Sequence, residues 1–201
     1  MTVNINPKKI AGRWRAGYTL DFHTTSSVYV GDDEFGRPTF ETTRSEAGEL
    51  LYQLKYKSDA SALTAIVDAA VGFVDRWKRG GGLVVDVLVP VPPSRQRPSQ
   101  PVLLVAEALA QRLGVPCAAS AVTKVRDVPE LKNVYDFNER DQLLAGAHQI
   151  DKAQIQGRKV LLFDDLYRSG ATMNAIASAL YDSGEAADVF ALTITRSRSN
   201  Q

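Results

Sequence analysis

The stretch KVLLFDDLYRSGATMNAIASAL, from Lys159 to Leu180, runs four consecutive apolar residues, Val160 to Phe163, straight into two aspartates. A short polar turn closed by Gly170 follows, and then a helical pattern. A segment apolar at every position is a strand buried on both faces. Such a strand feeding a helix through a short turn is the building unit of a parallel sheet covered by helices. Adjacent carboxylates repel, and the end of a buried strand is a costly place to put them. Something cationic or rich in hydroxyl groups has to lie against them.

The same alternation extends over the chain after Gly80 to Gly82. LVVDVLVPVP reads as a strand, Pro101 to Leu113 as a helix and CAASAVTKV as a strand. Arg158 to Phe163 is a further strand, Ala171 to Ser183 a helix and ADVFALTIT a last strand. This predicts an α/β fold, a parallel sheet with helices on both faces. Ligands of such sheets bind outside the carboxyl ends of the strands. Three polar turns qualify: Pro90 to Pro98, Lys124 to Gly146, and Asp164 to Thr172.

Upstream the pattern differs. GYTLDFHT, SSVYVG and TFETT, separated by the turn-rich GDDEFGRP, predict a small antiparallel sheet. Thr43 and Glu46 form a capping-box pattern for a helix ending near Tyr56. A second helix, from about Asp59 to Lys78, places Leu63, Ile66, Val67, Ala70, Val71 and Val74 on one face, which is core. The expected organisation is a β-rich appendage with its helix over 1–58 and a core over 59–201.

Composition narrows the classes. A chain of 201 residues with 44% apolar content can bury one sizeable core. A net charge of +1 carries no global signature for nucleic acid or membrane. The single Cys117 excludes a disulfide framework and a multi-cysteine zinc ribbon, and suits a reducing cytoplasm. No window is apolar for long enough to span a bilayer, and the first residues lack a signal-peptide run, so a cytoplasmic protein without a membrane partner is expected. His23 and His148 have no partner at metal-ligand spacing, and Trp14 and Trp77 read as core.

The third turn resolves the tension of the aspartates. A strand ending in Asp164 and Asp165 that turns through Arg168, Ser169, Gly170, Ala171 and Thr172 into a helix offers free N–H groups and the positive end of a helix dipole to an anion. Gly170 allows close backbone approach, Ser169 and Thr172 add hydroxyls, and Arg168 adds charge. A ligand carrying a phosphate and neighbouring hydroxyls fits, the carboxylates accepting from the hydroxyls directly or through a divalent ion. A phosphorylated ribose has both.

At these residues the chain resembles the type I phosphoribosyltransferases, and within them the ComF-like family. VLLFDDLYRSGAT matches, in order and spacing, the strand, acidic pair and Thr/Ser/Gly turn that grips the 5-phosphate of phosphoribosyl pyrophosphate (PRPP). VPVPPSRQRPSQPVLLVAEALAQRLGVP and LLYQLKYKSD are similar to further segments of that family. The chain departs from it in having Arg168 where a small hydroxyl residue is common, in Leu143 and His148 near Arg140, Gly146 and Ala147, and in lacking the cysteines of an N-terminal zinc ribbon.

The resemblance implies displacement of pyrophosphate from PRPP by a base or amine, with Mg2+ as cofactor. It assigns Asp164 and Asp165 to the ribose hydroxyls and, directly or indirectly, to the metal. The 5-phosphate falls to Arg168, Ser169, Gly170, Ala171 and Thr172, and the pyrophosphate to Pro93, Ser94 and Arg95. A hood at about 125–146 would close with Lys132 and Arg140. The implied partners are PRPP and a small-molecule acceptor, with a homodimer and a nucleic-acid contact left open. A non-catalytic PRPP-binding regulator, or an accessory of DNA uptake, is the alternative within the same resemblance. A response-regulator-like metal domain would require acidic residues from several strand ends, and a glutamine amidotransferase would require a cysteine near the N-terminus.

Overall fold

The computed structural model describes residues 3–93, 100–125 and 146–198. In chain order these form β1 (Lys8–Lys9), β2 (Ala16–Phe22), β3 (Thr24–Asp32), β4 (Pro38–Arg44), α1 (Glu46–Lys57), α2 (Ala60–Arg79) and β5 (Val87–Pro90). There follow α3 (Pro101–Leu113), β6 (Val122–Lys124), β7 (His148–Ile150), α4 (Lys152–Ile155), β8 (Lys159–Tyr167), α5 (Ala171–Asp182) and β9 (Asp188–Arg196).

Five strands make the central sheet in the order β1-β2-β9-β8-β5. Neighbours β2, β9, β8 and β5 run parallel, and β1 adds an antiparallel edge. Alternate side chains of β8 enter two cores. Leu161 and Phe163 pack with Leu51 and Leu54 of α1, Ile66 and Val74 of α2, and Leu109 of α3. Val160 and Leu162 pack with Ile176 and Leu180 of α5, Ile155 of α4, and Trp14. This three-layer arrangement explains the uninterrupted apolar run, since neither face of the strand meets water. Each large side chain buried in this way contributes roughly 1.5–3 kcal/mol relative to exposure. No helix among the described residues is long and apolar enough to cross a membrane.

The α/β reading therefore holds, with four differences of detail. The strand GYTLDF, expected in the antiparallel appendage, is β2 and pairs in parallel with β9, from Ala16 opposite Phe190 to Phe22 opposite Arg196. Only β3 and β4 remain as a separate antiparallel ribbon. The segment CAASAVTKV, expected as a core strand, touches the sheet through one parallel bridge, Cys117 to Leu88. It then turns into β6, which pairs antiparallel with β7. Helix α1 is capped by Ser45, not by a Thr43–Glu46 box, because the Ser45 hydroxyl lies 2.9 Å from the Gly48 N–H. Finally, β8 continues beyond Phe163 through both aspartates to Tyr167, keeping register with β9 at Asp164–Thr193 and Tyr167–Arg196.

Candidate functional site

All four parallel strands deliver their carboxyl ends to one edge of the sheet, and the Asp164–Thr172 turn leaves from that edge. Because β8 remains a strand through the aspartates, consecutive side chains leave it on opposite faces. Asp165 continues the face of Leu161 and Phe163, where helix α1 packs. There its carboxylate lies 2.9 Å from the Lys55 ammonium, both side chains less than a fifth exposed. Asp164 continues the face of Val160 and Leu162, which is that of α5. Loss of hydration, and then the Asp165 charge, push the Asp164 carboxyl up to about 8, against an accepted Asp165 N–H bond and the more distant Lys55. Burial thus disfavours the charged form of Asp164, while its neighbour is paired with a cation.

Beyond β8 the chain reaches Gly170 at φ +77°, the left-handed conformation that glycine adopts without strain. A Cβ there would lie 2.5 Å from the Tyr167 hydroxyl. That hydroxyl is itself anchored, donating to the Ala11 carbonyl at 3.2 Å. The turn opens α5 with no side-chain cap. Ser169 Oγ comes only to 3.5 Å of the Ala171 N–H, which is too long to satisfy it well. Asn174 secures the turn from the second helical turn. Its side chain donates to the Gly170 carbonyl at 3.0 Å and accepts from the Arg13 N–H at 2.7 Å. Arg168, Ser169 and Thr172 are exposed, whereas Gly170 and Ala171 are buried. The result is a fixed turn of exposed side chains over an open helix N-terminus, which is anion-binding geometry.

The end of β5 joins the same edge, since the Val91 N–H donates to the Phe163 carbonyl at 2.8 Å, and the chain leads on to a half-buried Pro93. Of the residues assigned from sequence, Asp164, Asp165, Pro93 and Arg168 to Thr172 are thus at one edge. Ser94, Arg95, Lys132 and Arg140, with the hood segment 126–145, lie outside the described residues.

Several residues at this edge were not singled out by sequence reasoning. Lys55 is the foremost. His23, given a structural role from sequence, follows β2 directly, with Nδ1 3.2 Å from the Thr195 hydroxyl. Burial and the nearby Lys55 and Arg44 cations hold its pKa below the ordinary value, Asp165 pulling the other way. Thr193, opposite Asp164 in register, is fully buried, and its hydroxyl has no hydrogen-bond partner among the described residues. Arg196 spreads over the rings of Phe22 and Tyr167, at 5.5 and 5.9 Å.

The acidic pair does not fit a divalent ion held by the protein alone. The two carboxyls diverge to opposite faces of the strand, burial disfavours the anion of one, and the other already has a cation. No cluster of three or more His, Cys, Asp or Glu side chains able to hold a metal occurs among the described residues.

No protein-family model and no curated protein matches the chain. Similar solved structures include adenine phosphoribosyltransferase from Saccharomyces cerevisiae, at 16% identity, covering 84% of this chain and 83% of that one, with a TM-score of 0.45. Adenine phosphoribosyltransferase from Leishmania tarentolae is 13% identical over 95% of this chain and 94% of its own, with a TM-score of 0.46. The glutamine PRPP amidotransferase of B. subtilis is 18% identical over 80% of this chain and 34% of its own, also at 0.46.

Proposed function

We infer that the chain binds PRPP, or a related ribose 5-phosphate compound, and acts as a phosphoribosyltransferase toward a base or amine. The observation that carries this reading is the juxtaposition, at the carboxyl edge of a parallel sheet, of an uncapped α5 N-terminus behind Gly170 with a strand end bearing carboxyl groups. The turn takes the 5-phosphate on the N–H groups that follow Gly170, with Arg168, Ser169 and Thr172 around it. Asp164 hydrogen-bonds a ribose hydroxyl on the α5 face, and Asp165 accepts from the other.

Transfer from C1 builds positive charge on the sugar and negative charge on departing pyrophosphate, so fixed electrostatics serve it better than a nucleophile. A carboxylate beside the ring stabilises the first of these charges. The turn from Pro93 through Ser94 and Arg95, and a hood carrying Lys132 and Arg140, would serve the second. Any Mg2+ would arrive on the ligand's own phosphates, with the protein contributing no direct ligand.

Isothermal titration with PRPP and Mg2+ tests the reading. Binding is expected for the wild type, and Asp165→Asn should weaken it by roughly 1–3 kcal/mol through loss of charge-assisted bonds. Wild-type protein that gives neither heat nor thermal shift with PRPP would refute it. Binding without pyrophosphate release across a panel of bases and amines would instead identify a non-catalytic PRPP-binding regulator.

A further inference from the structure

Arg196 is a cation that meets no anion among the described residues. It ends β9 between β2 and β8, in register with Phe22 on one side and Tyr167 on the other, and so forms a row with them across the carboxyl edge. Its backbone is fixed from both sides, the His23 N–H donating to the Arg196 carbonyl at 2.7 Å and the Ser197 N–H to the Tyr167 carbonyl at 2.9 Å. The guanidinium carbon lies 5.5 Å from the centre of the Phe22 ring and 5.9 Å from that of Tyr167. Other arginines of the chain reach a carboxylate, Arg15 at Asp188, Arg44 at Glu49 and Arg112 at Asp68. Arg196 makes no ion pair and no side-chain hydrogen bond among the described residues, and its Nε is buried without an acceptor.

Ring faces attract a guanidinium and hold its plane, but they leave its N–H donors unpaired. A partly buried guanidinium whose donors meet no acceptor in the protein has lost hydration without replacing it, a cost that an anionic ligand offsets. The planar fork matches a carboxylate best, because both oxygens accept in one plane. This place is separate from the Gly170 turn. The Tyr167 hydroxyl donates to the Ala11 carbonyl and stands 2.5 Å from where a Cβ of Gly170 would be, so Tyr167 meets the turn with its hydroxyl end and Arg196 with its ring. Sheet order indicates which part of a ligand comes here. Strand β5, with Pro93 beyond it, flanks β8 on one side, and β9 flanks it on the other. A nucleophile enters C1 opposite to the bond that breaks, so with pyrophosphate departing over β5 the acceptor lies over β9.

We propose that Arg196 determines the acceptor, and that the acceptor is a planar nitrogen compound bearing a carboxylate, which the guanidinium takes at the end of β9 between Phe22 and Tyr167. This rests on the phosphoribosyl reading and adds the substrate class to it. The acceptor nitrogen forms the bond to C1 with its lone pair, the C1–O bond breaks with its electrons going to pyrophosphate, and any proton on that nitrogen passes to water. Arg196 takes no part in these steps. It holds the acceptor by the end remote from the reacting nitrogen, which positions that nitrogen and neutralises the charge that the acceptor brings to an edge already carrying Asp164 and Asp165.

The test titrates ring acids into the full chain, with and without ribose 5-phosphate, which carries no pyrophosphate and so allows no turnover. Nicotinate and orotate are compared by calorimetry with their uncharged counterparts nicotinamide and uracil. At least one acid should bind about tenfold or more tightly than its counterpart, and Arg196→Gln should bring that ratio to near one. Arg196→Lys, which keeps the charge and loses the fork, should retain only part of it. In the wild type, the Arg196 Nε–H signal in nitrogen-edited NMR, identified by its absence from Arg196→Lys, should shift with the acid and not with the counterpart. Equal binding of acids and counterparts, binding of neither acid at millimolar concentration, or a preference that survives in a folded Arg196→Gln chain would overturn the proposal. Should Arg196→Gln not fold, the NMR signal decides: a shift on binding of the acid supports the proposal, and a signal that stays in place overturns it. PRPP binding without an acid preference would remove this proposal alone. An acid preference without PRPP binding would remove the transferase reading, and the acceptor role with it, but not the carboxylate site.

Discussion

Helices α1 and α5 both start at the carboxyl edge of the sheet, and their first turns are finished in opposite ways. At α1, Ser45 accepts from the Gly48 N–H and donates to the Phe22 carbonyl, and Glu46 and Glu49 meet the helix dipole. At α5, a glycine stands where the cap would be, and no acidic residue lies in the first turn. Helices α2 and α4 follow the first pattern, capped by Asp59 and Asp151. Helix α3, which follows β5, resembles α5 in having no side-chain cap hydrogen bond from Gln100. A cap is the ordinary means of satisfying helix N–H groups, so leaving them open has a stability cost that a ligand can offset. Among the described helices, those that follow the core strands β5 and β8 are the ones without a side-chain cap, but α3 opens with Pro101, which has no N–H, and its Leu103 N–H donates to the Gln100 carbonyl, so that the open start is that of α5.

This contrast can be broken by experiment. The largest expected effect is at the closed end. Ser45→Ala removes both the cap and the partner of the Phe22 carbonyl, and should lower stability by about 2 kcal/mol. A urea midpoint unchanged from the wild type would show that α1 does not depend on this residue. At the open end, Gly170→Ala forces a side chain into a left-handed conformation and against the Tyr167 hydroxyl, for roughly 1–2 kcal/mol. Its loss of PRPP affinity should exceed that of Ser45→Ala, although its loss of stability is smaller. The reverse ranking would remove the distinction between the two helix starts.

A third effect, read as a dependence on pH, concerns Asp164. Its pKa in the folded chain, about 8, lies above the ordinary 3.8, so between these values the folded chain keeps a proton that the unfolded chain has released. The stability this contributes is complete at the acid end of the window and is lost as pH rises through about 8. Urea unfolding of the wild type, measured relative to Asp164→Asn, should therefore weaken from about pH 5 to about pH 8.5. The slope should stay below about 1.4 kcal/mol per pH unit, since one proton is involved and the side chain is partly exposed. A difference independent of pH would mean that Asp164 is ionised throughout.

The β8–α5 unit was legible in the sequence because its signals are local: a run apolar on both faces, a glycine at the required backbone angle, and a helix behind it. Strand β2 was misplaced because Gly17 and Thr19, both buried, occupy one of its two faces, so the sequence alternates like a half-solvated strand although neither face is open. CAASAVTKV was overcounted because its small residues pack as readily in a turn as in a strand, and one bridge to Leu88 suffices to hold it. The acidic pair was recognised, but its division between the two faces follows from β8 running four residues beyond its apolar stretch, where the residues favour turn as much as strand. Lys55 left a readable trace, a lysine four residues after the buried Leu51 and seven after Gly48. What it meets lies 110 positions away in sequence, and no local pattern carries that information.

The pairing of β2 with β9 also sets an order of events. His23 and Thr195, which touch at the end of these strands, are 172 residues apart. The sheet cannot close until its final strand is available, so a chain emerging from synthesis can build α1, α2, α3 and much of their packing, but must leave β2 apart from β8 until β9 fills the place between them. Lys55 meets Asp165 only after that closure. The carboxyl edge proposed to bind phosphate is therefore the last part of the molecule to assemble, and a chain truncated before Asp188 should retain helices yet lose that edge.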